Sequence, residues 1–492
     1  MTQTKSSLTA SPFIAGAPED HDGGDGYEIR EPATDAVLAT GRMGTEASID
    51  RAVGAAHDAL KKWRRVGPIE RSRLLHAIAD AVAAEAADLC ELEARNVGKA
   101  ISSVRAEVQH VISTFRYFAS VTGSISGRAA RIGGAIDFSS YQEPVGVVAQ
   151  IVPWNYPLLM AAWKIAPALA AGCSTIVKPD PVTPLTALRL AQIATEVGVP
   201  AGVVNVVPAD GPTVGSYLVS HPGVAKVAFT GSTRTGIEVM RAAAQNVSRV
   251  TLELGGKGAN VVFPDADLDD AVAGAVWSAF SSAGQSCEAR TRTLVHSSIA
   301  EQFTEAFVAV TRNVRLGDPL AEDTVVGSLI SRSHRDRVHG FVERAVDAGS
   351  EVLLGGDVLE GAGAYYPLTL VRPHAQASEI VREEVFGPVA TIEVFDTEDE
   401  AVAKANDTRF GLLATVWSRD SATAARVAHQ LDFGTVGINH PLTTFPGVPF
   451  GGVKHSGFGR EFSLESLHDY LETKSITNWI SPRSSNVLPT AL

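Results

Sequence analysis

The sequence predicts an α/β protein with two doubly wound, largely parallel sheets and a small β appendage. Short β-branched runs alternate with helical stretches, which is typical of parallel sheets covered by helices on both faces. A second alternation of the same kind starts after Gly256. The chain has 492 residues, which allows two or three domains of about 150 residues each and a core large enough for a deep site.

Composition narrows the functional class. Hydrophobic residues make up 45% and charged residues 20% of the chain, the balance of a folded globular protein. The formal net charge is −13 and no basic run interrupts it, so we expect small-molecule partners and no nucleic acid. The most hydrophobic window, 158–173, contains Lys164 and Pro167 and is too short to span a membrane, so it predicts a buried helix and no membrane association.

Cysteine usage and the N-terminus favour a cytoplasmic location. Cys90, Cys173 and Cys287 are too few and too scattered for a disulfide framework or a thiolate zinc site. Ligand spacings for other metals are also missing from the sequence, so we expect no metal. The first residues do not place a charged start before a hydrophobic segment, so we expect no secretory signal.

The first half of the chain predicts a lead-in, a helical layer and then the first sheet. Residues 1 to about 40 are rich in turn formers and predict a short extended lead-in. Hydrophobic residues recur at helical spacing from Thr45 to Val97, which predicts amphipathic helices. The alternation that follows predicts strands at 147–152, 175–177, 203–207 and 227–229 and a helix at 185–195.

The second half predicts the other sheet and the appendage. A Gly/Pro-rich loop region covers 441–459. The Ser/Gly-rich stretch 124–141 predicts a strand or hairpin that leaves the first domain, and 476–480 predicts a final strand. The second alternation predicts strands at 259–263 and 293–295 and helices at 268–281 and 300–311.

Two segments after the predicted strands of the first sheet contain candidate binding groups. The turn at 229–236, FTGSTRTG, follows a strand and opens a helix, so its backbone N–H groups can meet an anion, although an ordinary turn fits equally well. Asn155 lies between two prolines, where its amide can donate a hydrogen bond from a stiffened backbone; a proline-bounded turn is the alternative.

Two further segments contain candidate reacting groups. Cys287 follows Gly284 in a polar segment, which is unusual for an inert structural thiol, and its backbone N–H can donate to an oxyanion. Glu253 ends a hydrophobic strand beside two glycines, where poor solvation raises a carboxyl pKa toward the range of a general base. A glutamate that caps a turn is the alternative interpretation of Glu253.

Together these segments resemble the aldehyde dehydrogenase superfamily, over residues from about 28 to about 476. Seven motifs in the same order make the resemblance specific. They are PWNYPLLMAAWK (153–164), KP (178–179), FTGSTRTG (229–236), ELGGK (253–257), GQSC (284–287), EEVFGPV (383–389) and PFGGVKHSGFGRE (449–461).

The resemblance implies NAD(P)-dependent oxidation of an aldehyde to a carboxylic acid. Cys287 matches the nucleophile that forms a thiohemiacetal and then a thioester. Asn155 matches the side-chain amide that holds the oxyanion together with the backbone N–H of the cysteine. Glu253 matches the base that deprotonates the hydrolytic water, and Lys164 matches the lysine that orders the region around the asparagine.

The resemblance also implies a cofactor site, with NAD as the main cofactor. Lys178 matches the adenosine-ribose contact, and Glu384 matches the contact to the nicotinamide ribose. The remaining cofactor positions implied are Gly231 and Ser232 at the pyrophosphate, Phe386 packed on the nicotinamide ribose, and Trp154.

One departure from the family pattern bears on cofactor choice. The family often has Lys-Pro-x-Glu, and this chain has Lys178-Pro179-Asp180-Pro181. Pro181 replaces the acid that would bond both ribose hydroxyls and repel a 2′-phosphate. We therefore expect NAD as the main oxidant with appreciable use of NADP.

The substrate is an aldehyde of small or medium size. Tyr156, Leu159, Met160 and Trp163 match channel positions, with ordinary helix packing as the alternative for at least half of them. Tyr156 and Trp163 resemble two walls of the aromatic box that betaine and amino-aldehyde enzymes use for cations. Ser281 replaces a tryptophan often found there, which argues against a trimethylammonium substrate.

Arg290 stands where the family usually has glycine. A basic group there can attract an acidic semialdehyde, but we expect a surface salt bridge instead.

The family fold implies two Rossmann-like domains and a β-hairpin that joins subunits into a homodimer or homotetramer. An exposed hairpin edge favours such pairing. The implied segments are 1–122 with 145–255 for dinucleotide binding, 256–472 for catalysis, and 123–144 with 473–492 for oligomerisation.

Two alternative functions stay open at this point. One is a CoA-acylating relative, which retention of Glu253 disfavours because CoA-transferring members generally lack that base. The other is a non-enzymatic role on the same scaffold, which the presence of Asn155, Glu253 and Cys287 disfavours.

Overall fold

The computed structural model describes residues 9–19, 24–132, 134–442 and 444–480. Its largest sheet has eight strands, and the five at its centre are parallel. The middle strand of these five, Val147–Val152, comes first in the chain. The next two strands in the chain lie on one side of it, and the two after those lie on its other side. In spatial order the eight strands are Gly457–Phe458, Arg249–Glu253, Lys226–Thr230, Val147–Val152, Ser174–Pro179, Val204–Val206, Phe13–Ile14 and Ala17–Pro18.

This order confirms a doubly wound sheet, with helices on both faces. Val147 and Ala149 belong to the hydrophobic cluster that contains the buried face of helix Glu46–Trp63. Val148 alternates to the other face and packs in the cluster of helix Pro157–Ala171. Both faces of the strand are therefore covered by helices and shielded from solvent, which explains why its sequence is mostly hydrophobic.

The second sheet has seven strands and is parallel apart from one edge strand. Ala259–Val262, its first strand in the chain, lies between Arg292–His296 and Leu413–Trp417, so this sheet is doubly wound as well. In spatial order its strands are Glu351–Leu354, Thr369–Arg372, Val389–Phe395, Arg292–His296, Ala259–Val262, Leu413–Trp417 and Thr435–Ile438.

The appendage is a three-stranded antiparallel sheet. Ile136–Pro144 lies in the middle, between Ala129–Ile132 and the C-terminal strand Leu471–Trp479. The C-terminal strand pairs along its whole length and begins before the 476–480 expected from sequence. Beyond Leu471 it is exposed. Residues 481–492, predicted to belong to the oligomerisation element, lie outside the described residues.

The N-terminal lead-in contains more pairing than its turn-rich sequence indicates. Thr9–Ala10 pairs with Val37–Arg42, which also pairs with Gly26–Arg30. Phe13–Ile14 instead joins the edge of the first sheet through Val206. Residues 1–8 and 20–23 of the predicted lead-in lie outside the described part of the chain.

Helices cover both large sheets. Within the described ranges, none of the helices is long and hydrophobic enough to cross a membrane. The α-helices are Glu46–Trp63, Pro68–Ala84, Ala86–Val97, Ile101–Val121, Pro157–Ala171, Leu185–Glu196, Ser216–Ser220, Thr233–Ala243, Leu268–Phe280, Ala300–Arg312, Arg332–Asp347, Glu379–Arg382, Glu398–Asn406, Ser421–Gln430 and Leu464–His468.

Candidate active site

Three predicted site residues lie together because neighbouring parallel strands end at the same edge of the first sheet. Asn155 follows Val147–Val152, Ser232 follows Lys226–Thr230, and Glu253 is the last residue of the next strand. The pairing of Thr230 with Glu253 sets this register. The crevice lies where the chain reverses its direction of strand addition, the usual ligand position in a doubly wound sheet.

The loop before Cys287 has a strained backbone. Ser282, Ala283 and Gly284 have φ of 51°, 56° and 68°, three left-handed residues in a row. The side-chain oxygen of Gln285 accepts a hydrogen bond from the backbone N–H of Ile330 at 2.8 Å, which ties the loop to the segment before helix Arg332–Asp347. Backbone strain of this kind persists only where surrounding contacts hold it, and it concentrates at functional sites.

Replacement of Gly284 by alanine is expected to destabilise this loop. A Cβ there would lie 2.2 Å from the carbonyl oxygen of Gly387, and its φ is unfavourable for a side chain. We expect a loss of about 1–2 kcal/mol or more from the backbone conformation alone, measured as a lower Tm together with lower activity. Gly123→Ala is the control, because a Cβ at Gly123 meets no atom within 4 Å. Equal Tm values for the two variants would contradict the strain argument.

Asn155 is tied to the nucleophile loop. Its side-chain amide Nδ2 donates to the carbonyl oxygen of Gln285 at 2.9 Å, and the residue is 4% exposed. Gln285 precedes Cys287 by two residues. The amide predicted to hold an oxyanion is thereby fixed beside the thiol.

Glu253 ends a strand of the first sheet, Cys287 precedes a strand of the second sheet, and the two side chains meet at the same site. A Cβ at Gly256 would lie 2.5 Å from the carbonyl oxygen of Cys287, so the glycine after the Glu253 strand permits this approach. Both carboxyl oxygens of Glu253 are buried and make no hydrogen bond of ordinary geometry within the described chain. The thiol of Cys287 supplies only a weak donor to this carboxyl.

Burial dominates the protonation of both groups. Burial raises the pKa of Glu253 from 4.5 to about 8, against a smaller lowering by Cys287 and Lys164. The pKa of the Cys287 thiol lies well above its usual value because the group is desolvated and because Glu253 and Glu288 carry like charge. Burial therefore favours the protonated form of both groups at neutral pH.

Lys164 is held by a residue that was not assigned a role from sequence. Its Nζ donates to Glu461 Oε1 at 2.6 Å, and the two side chains are 1% and 8% exposed. The backbone carbonyl of Lys164 also accepts from Gln150 at 2.7 Å. The only sequence signal for Glu461 is its place at the end of the motif at 449–461. A buried ion pair of this kind is costly to break from one side.

The residues predicted to hold a dinucleotide lie around the crevice. Ser232 caps helix Thr233–Ala243, where its Oγ accepts from the N–H of Thr235 at 3.3 Å. The buried Lys178 ammonium donates to the carbonyl oxygen of Pro179 at 3.0 Å, which occupies one of its three hydrogens. A helix N-terminus and a cation with spare donors fit the phosphates and ribose of a dinucleotide.

Glu384 contacts the segment that joins the two large sheets. Its Oε1 accepts from the backbone N–H of Gly256 at 2.9 Å. A Cβ at Gly255 would lie 2.2 Å from the other carboxyl oxygen, so a side chain there would displace Glu384. The carboxyl keeps one oxygen for a second donor, which fits a ribose hydroxyl.

An aromatic cluster surrounds the other predicted cofactor residues. The Trp154 ring meets Phe386 edge-on, with centroids 5.3 Å apart. His334, which was not singled out in the sequence, joins the cluster 5.4 Å from Trp154 and hydrogen-bonds the carbonyl oxygen of Phe386 at 2.7 Å. Burial lowers the pKa of His334 to about 4, so its ring is neutral and donates through Nε2.

A cavity of about 520 Å³ leads to Cys287. Tyr156, Leu159, Met160 and Trp163 all lie on its wall, as the channel positions require. The remaining lining residues come from the helix Ile101–Val121, the nucleophile region and several loops; they are Ser102, Ser103, Ala106, Glu107, His110, Val276, Trp277, Phe280, Ser281, Ser282, Ser286, Glu288, Val314, Val325, Val326, Leu442, Thr444 and Phe450.

The expectation of a surface salt bridge at Arg290 was wrong. Arg290 is 1% exposed, and its guanidinium donates to the backbone carbonyl oxygens of Glu288 and Pro441. The side chain points into the protein because these two carbonyl oxygens, near the nucleophile, accept its hydrogen bonds. Arg290 does not line the cavity wall within the described residues.

Comparisons with known proteins identify the family of this chain. A sequence profile described as the Aldehyde dehydrogenase family matches residues 19–476. The chain is 41% identical over 464 residues to the peroxisomal aminoaldehyde dehydrogenase 2 of Pisum sativum, and the match covers 92% of each chain. It is 39% identical to the chloroplastic betaine aldehyde dehydrogenase of Beta vulgaris, over 92% of this chain and 93% of that protein.

A solved structure is similar over nearly the whole fold. Betaine aldehyde dehydrogenase from Staphylococcus aureus, crystallised in complex with NAD+, superimposes with a TM-score of 0.95 at 37% identity, over 98% of this chain and 97% of that one. The profile match over residues 19–476 and these sequence identities establish the family. The chain belongs to the aldehyde dehydrogenase family.

Proposed function

We propose that this protein oxidises a small or medium aldehyde to its carboxylic acid, with NAD+ as the electron acceptor and Cys287 as the covalent nucleophile. The observation that carries the proposal is the buried, unsatisfied carboxyl of Glu253 beside the Cys287 thiol. A screen of aliphatic, aromatic, amino- and carboxy-aldehydes with both cofactors, followed by absorbance of the reduced nicotinamide, tests it. Absence of reduced cofactor across that panel would contradict it.

The first step belongs to Cys287. Its sulfur adds to the aldehyde carbon after losing its proton, which Glu253, in contact with the thiol, takes when its carboxyl is ionised. The new oxyanion is held by the Asn155 side-chain amide and the backbone N–H of Cys287. NAD+, when bound, supplies the hydride acceptor. Loss of hydride from the thiohemiacetal leaves a thioester on Cys287.

The second step belongs to Glu253. Its carboxylate takes a proton from water, and the resulting hydroxide adds to the thioester carbon. The sulfur then leaves as a thiolate, which frees the acid. The same oxyanion donors serve both steps. Lys164 and Glu461 act as positioning residues, because their ion pair fixes the helix that follows Asn155.

Lys178, Gly231, Ser232, Glu384, Phe386 and Trp154 are the residues we propose to hold the cofactor. Asp180 does not replace the acid missing at Pro181. Its Oδ1 accepts from the backbone N–H of Val182 at 3.0 Å, so the carboxylate caps its own turn.

The cofactor preference is therefore expected to be moderate. We expect kcat/KM with NAD to exceed that with NADP by less than about a thousand-fold, or ~4 kcal/mol. Pro181→Glu restores an acid that repels a 2′-phosphate and is expected to lower NADP use at least about ten-fold. A wild-type preference above a thousand-fold would refute the tolerance for NADP.

Release of the thioester to CoA is the alternative reaction. Glu253 argues for water instead, because a general base beside the thioester is what hydrolysis requires. Product analysis with and without CoA separates the two: free acid at an unchanged rate supports hydrolysis, and acyl-CoA contradicts it.

We also propose that the protein forms a homodimer or homotetramer through 123–144 and 473–492, with cofactor binding in 1–122 and 145–255 and catalysis in 256–472. The exposed outer edge of Leu471–Trp479 supports this, since unpaired strand edges are usually covered. A cytoplasmic location stays a prediction; the Pisum sativum relative is named as peroxisomal.

A further inference from the structure

The cavity that leads to Cys287 has an acidic character. Glu107, His110 and Glu288 line it, and within the described residues no lysine or arginine does. Burial lowers the pKa of His110, so this ring adds no positive charge at neutral pH. The two carboxyl groups therefore decide which charge the cavity accepts.

Only one of these two carboxyl groups is available to a substrate. Glu107 forms a short ion pair with Lys99, whose side chain is 1% exposed. The Glu288 carboxyl has no hydrogen bond or ion pair within 4 Å among the described residues. The charge of Arg290 acts on Glu288, but the hydrogen bonds of the Arg290 guanidinium go to the backbone carbonyls of Glu288 and Pro441 and not to this carboxyl. Glu288 thus presents an unpaired acceptor to the cavity.

Two aromatic walls of the cavity, Tyr156 and Trp163, each have one ring face already covered. The Lys99 ammonium lies 4.0 Å from the centroid of the Tyr156 ring, so this ring already carries a cation on one face. Trp163 stacks on Phe462, with centroids 4.9 Å apart and planes at 15°, so one of its faces is covered too. Ser281 supplies no ring. Tyr156 and Trp163 thus each leave only one ring face for a quaternary ammonium, which depends on such faces.

We propose that Glu288 is a specificity-determining residue that binds the ammonium group of a short amino aldehyde, and that the cavity favours ammonium groups with N–H bonds over quaternary ones. This inference rests on the proposed oxidation at Cys287. A carboxylate forms strong, charge-assisted hydrogen bonds with N–H donors, and a trimethylammonium group offers none. Cys287 and Glu288 are neighbours in the chain and both line the cavity, so we expect a substrate that bridges the thiol and the carboxylate to be short.

The test compares three probes with wild type, Glu288→Gln and Glu288→Asp. The probes are 3-aminopropanal, its uncharged isostere butanal, and betaine aldehyde, and the readout is the ratio of kcat/KM values within one protein, so a general loss of activity cancels. In wild type we expect 3-aminopropanal to exceed both other probes at least about ten-fold. Glu288→Gln should lower the ratio of 3-aminopropanal to butanal by a similar factor, and Glu288→Asp should keep most of it.

The outcomes are distinguishable. A ratio that Glu288→Gln leaves unchanged would overturn the role of Glu288. A wild-type preference for betaine aldehyde over 3-aminopropanal would overturn the selection for N–H donors. If wild type oxidised neither the three probes nor any other aldehyde, the proposed function itself would be wrong.

Discussion

Cys287→Ala is expected to abolish aldehyde oxidation. Alanine offers no atom that can add to the carbonyl, so we expect kcat/KM to fall at least ~10⁴-fold, as for loss of other enzyme nucleophiles. The thiol is partly buried, and its removal leaves Asn155, Glu253 and the cofactor residues in place. The measurement is the rate of NADH formation, together with an NAD+ binding titration that should match wild type.

Cys90→Ala is the matched control for this variant. Cys90 is a buried thiol of the helix Ala86–Val97, and it does not line the cavity of Cys287. We expect it to retain turnover. Residual oxidation by Cys287→Ala near the wild-type rate would exclude Cys287 as the nucleophile.

Glu253→Gln is expected to separate the two half-reactions. Glutamine keeps the size of the side chain but cannot take the proton from water. The thioester should still form, more slowly because Glu253 no longer takes the Cys287 proton, and then persist, so we expect up to one equivalent of NADH per active site in a burst. The steady state that follows should be about 10²–10⁴-fold slower than wild type. Stopped-flow absorbance records both phases, and a variant with neither burst nor slowing would refute the role of Glu253.

The pH profile gives an independent check on Glu253. Its raised pKa means that the carboxyl is mostly protonated below about pH 8, and only the ionised fraction acts as a base. The steady-state rate of wild type should therefore rise with pH up to about 8 and then level off, provided that hydrolysis limits turnover. The slow steady state of Glu253→Gln should lack this rise.

Much of the fold was predictable because its strands are buried on both sides. The run at 147–152 is hydrophobic throughout and forms the strand Val147–Val152. The helix expected at 185–195 is observed as Leu185–Glu196. The short N-terminal strands were not predicted, since pairs such as Phe13 with Val206 depend on distant partners that leave no local pattern.

Site residues that belong to a sequence motif could be predicted. Residues that act through contacts between distant parts of the chain could not. Lys99 was not singled out, yet it lies against Tyr156 and forms the ion pair that neutralises Glu107. Arg290 was expected at the surface. It is buried because the carbonyl oxygen of Pro441, on another loop, accepts its hydrogen bond, and the sequence does not reveal this contact. Side-chain partners far apart in sequence are set by tertiary packing, which periodicity and spacing do not reveal.

The central claim is that the aldehyde carbon becomes covalently attached to Cys287. The most direct measurement is peptide mass spectrometry of Glu253→Gln, quenched with acid during turnover with an aldehyde and NAD+. We expect the mass of the acyl group on the peptide that contains Cys287, in proportion to the NADH burst. A full burst with that peptide unmodified, or with the acyl group on Cys90 or Cys173, would contradict the mechanism.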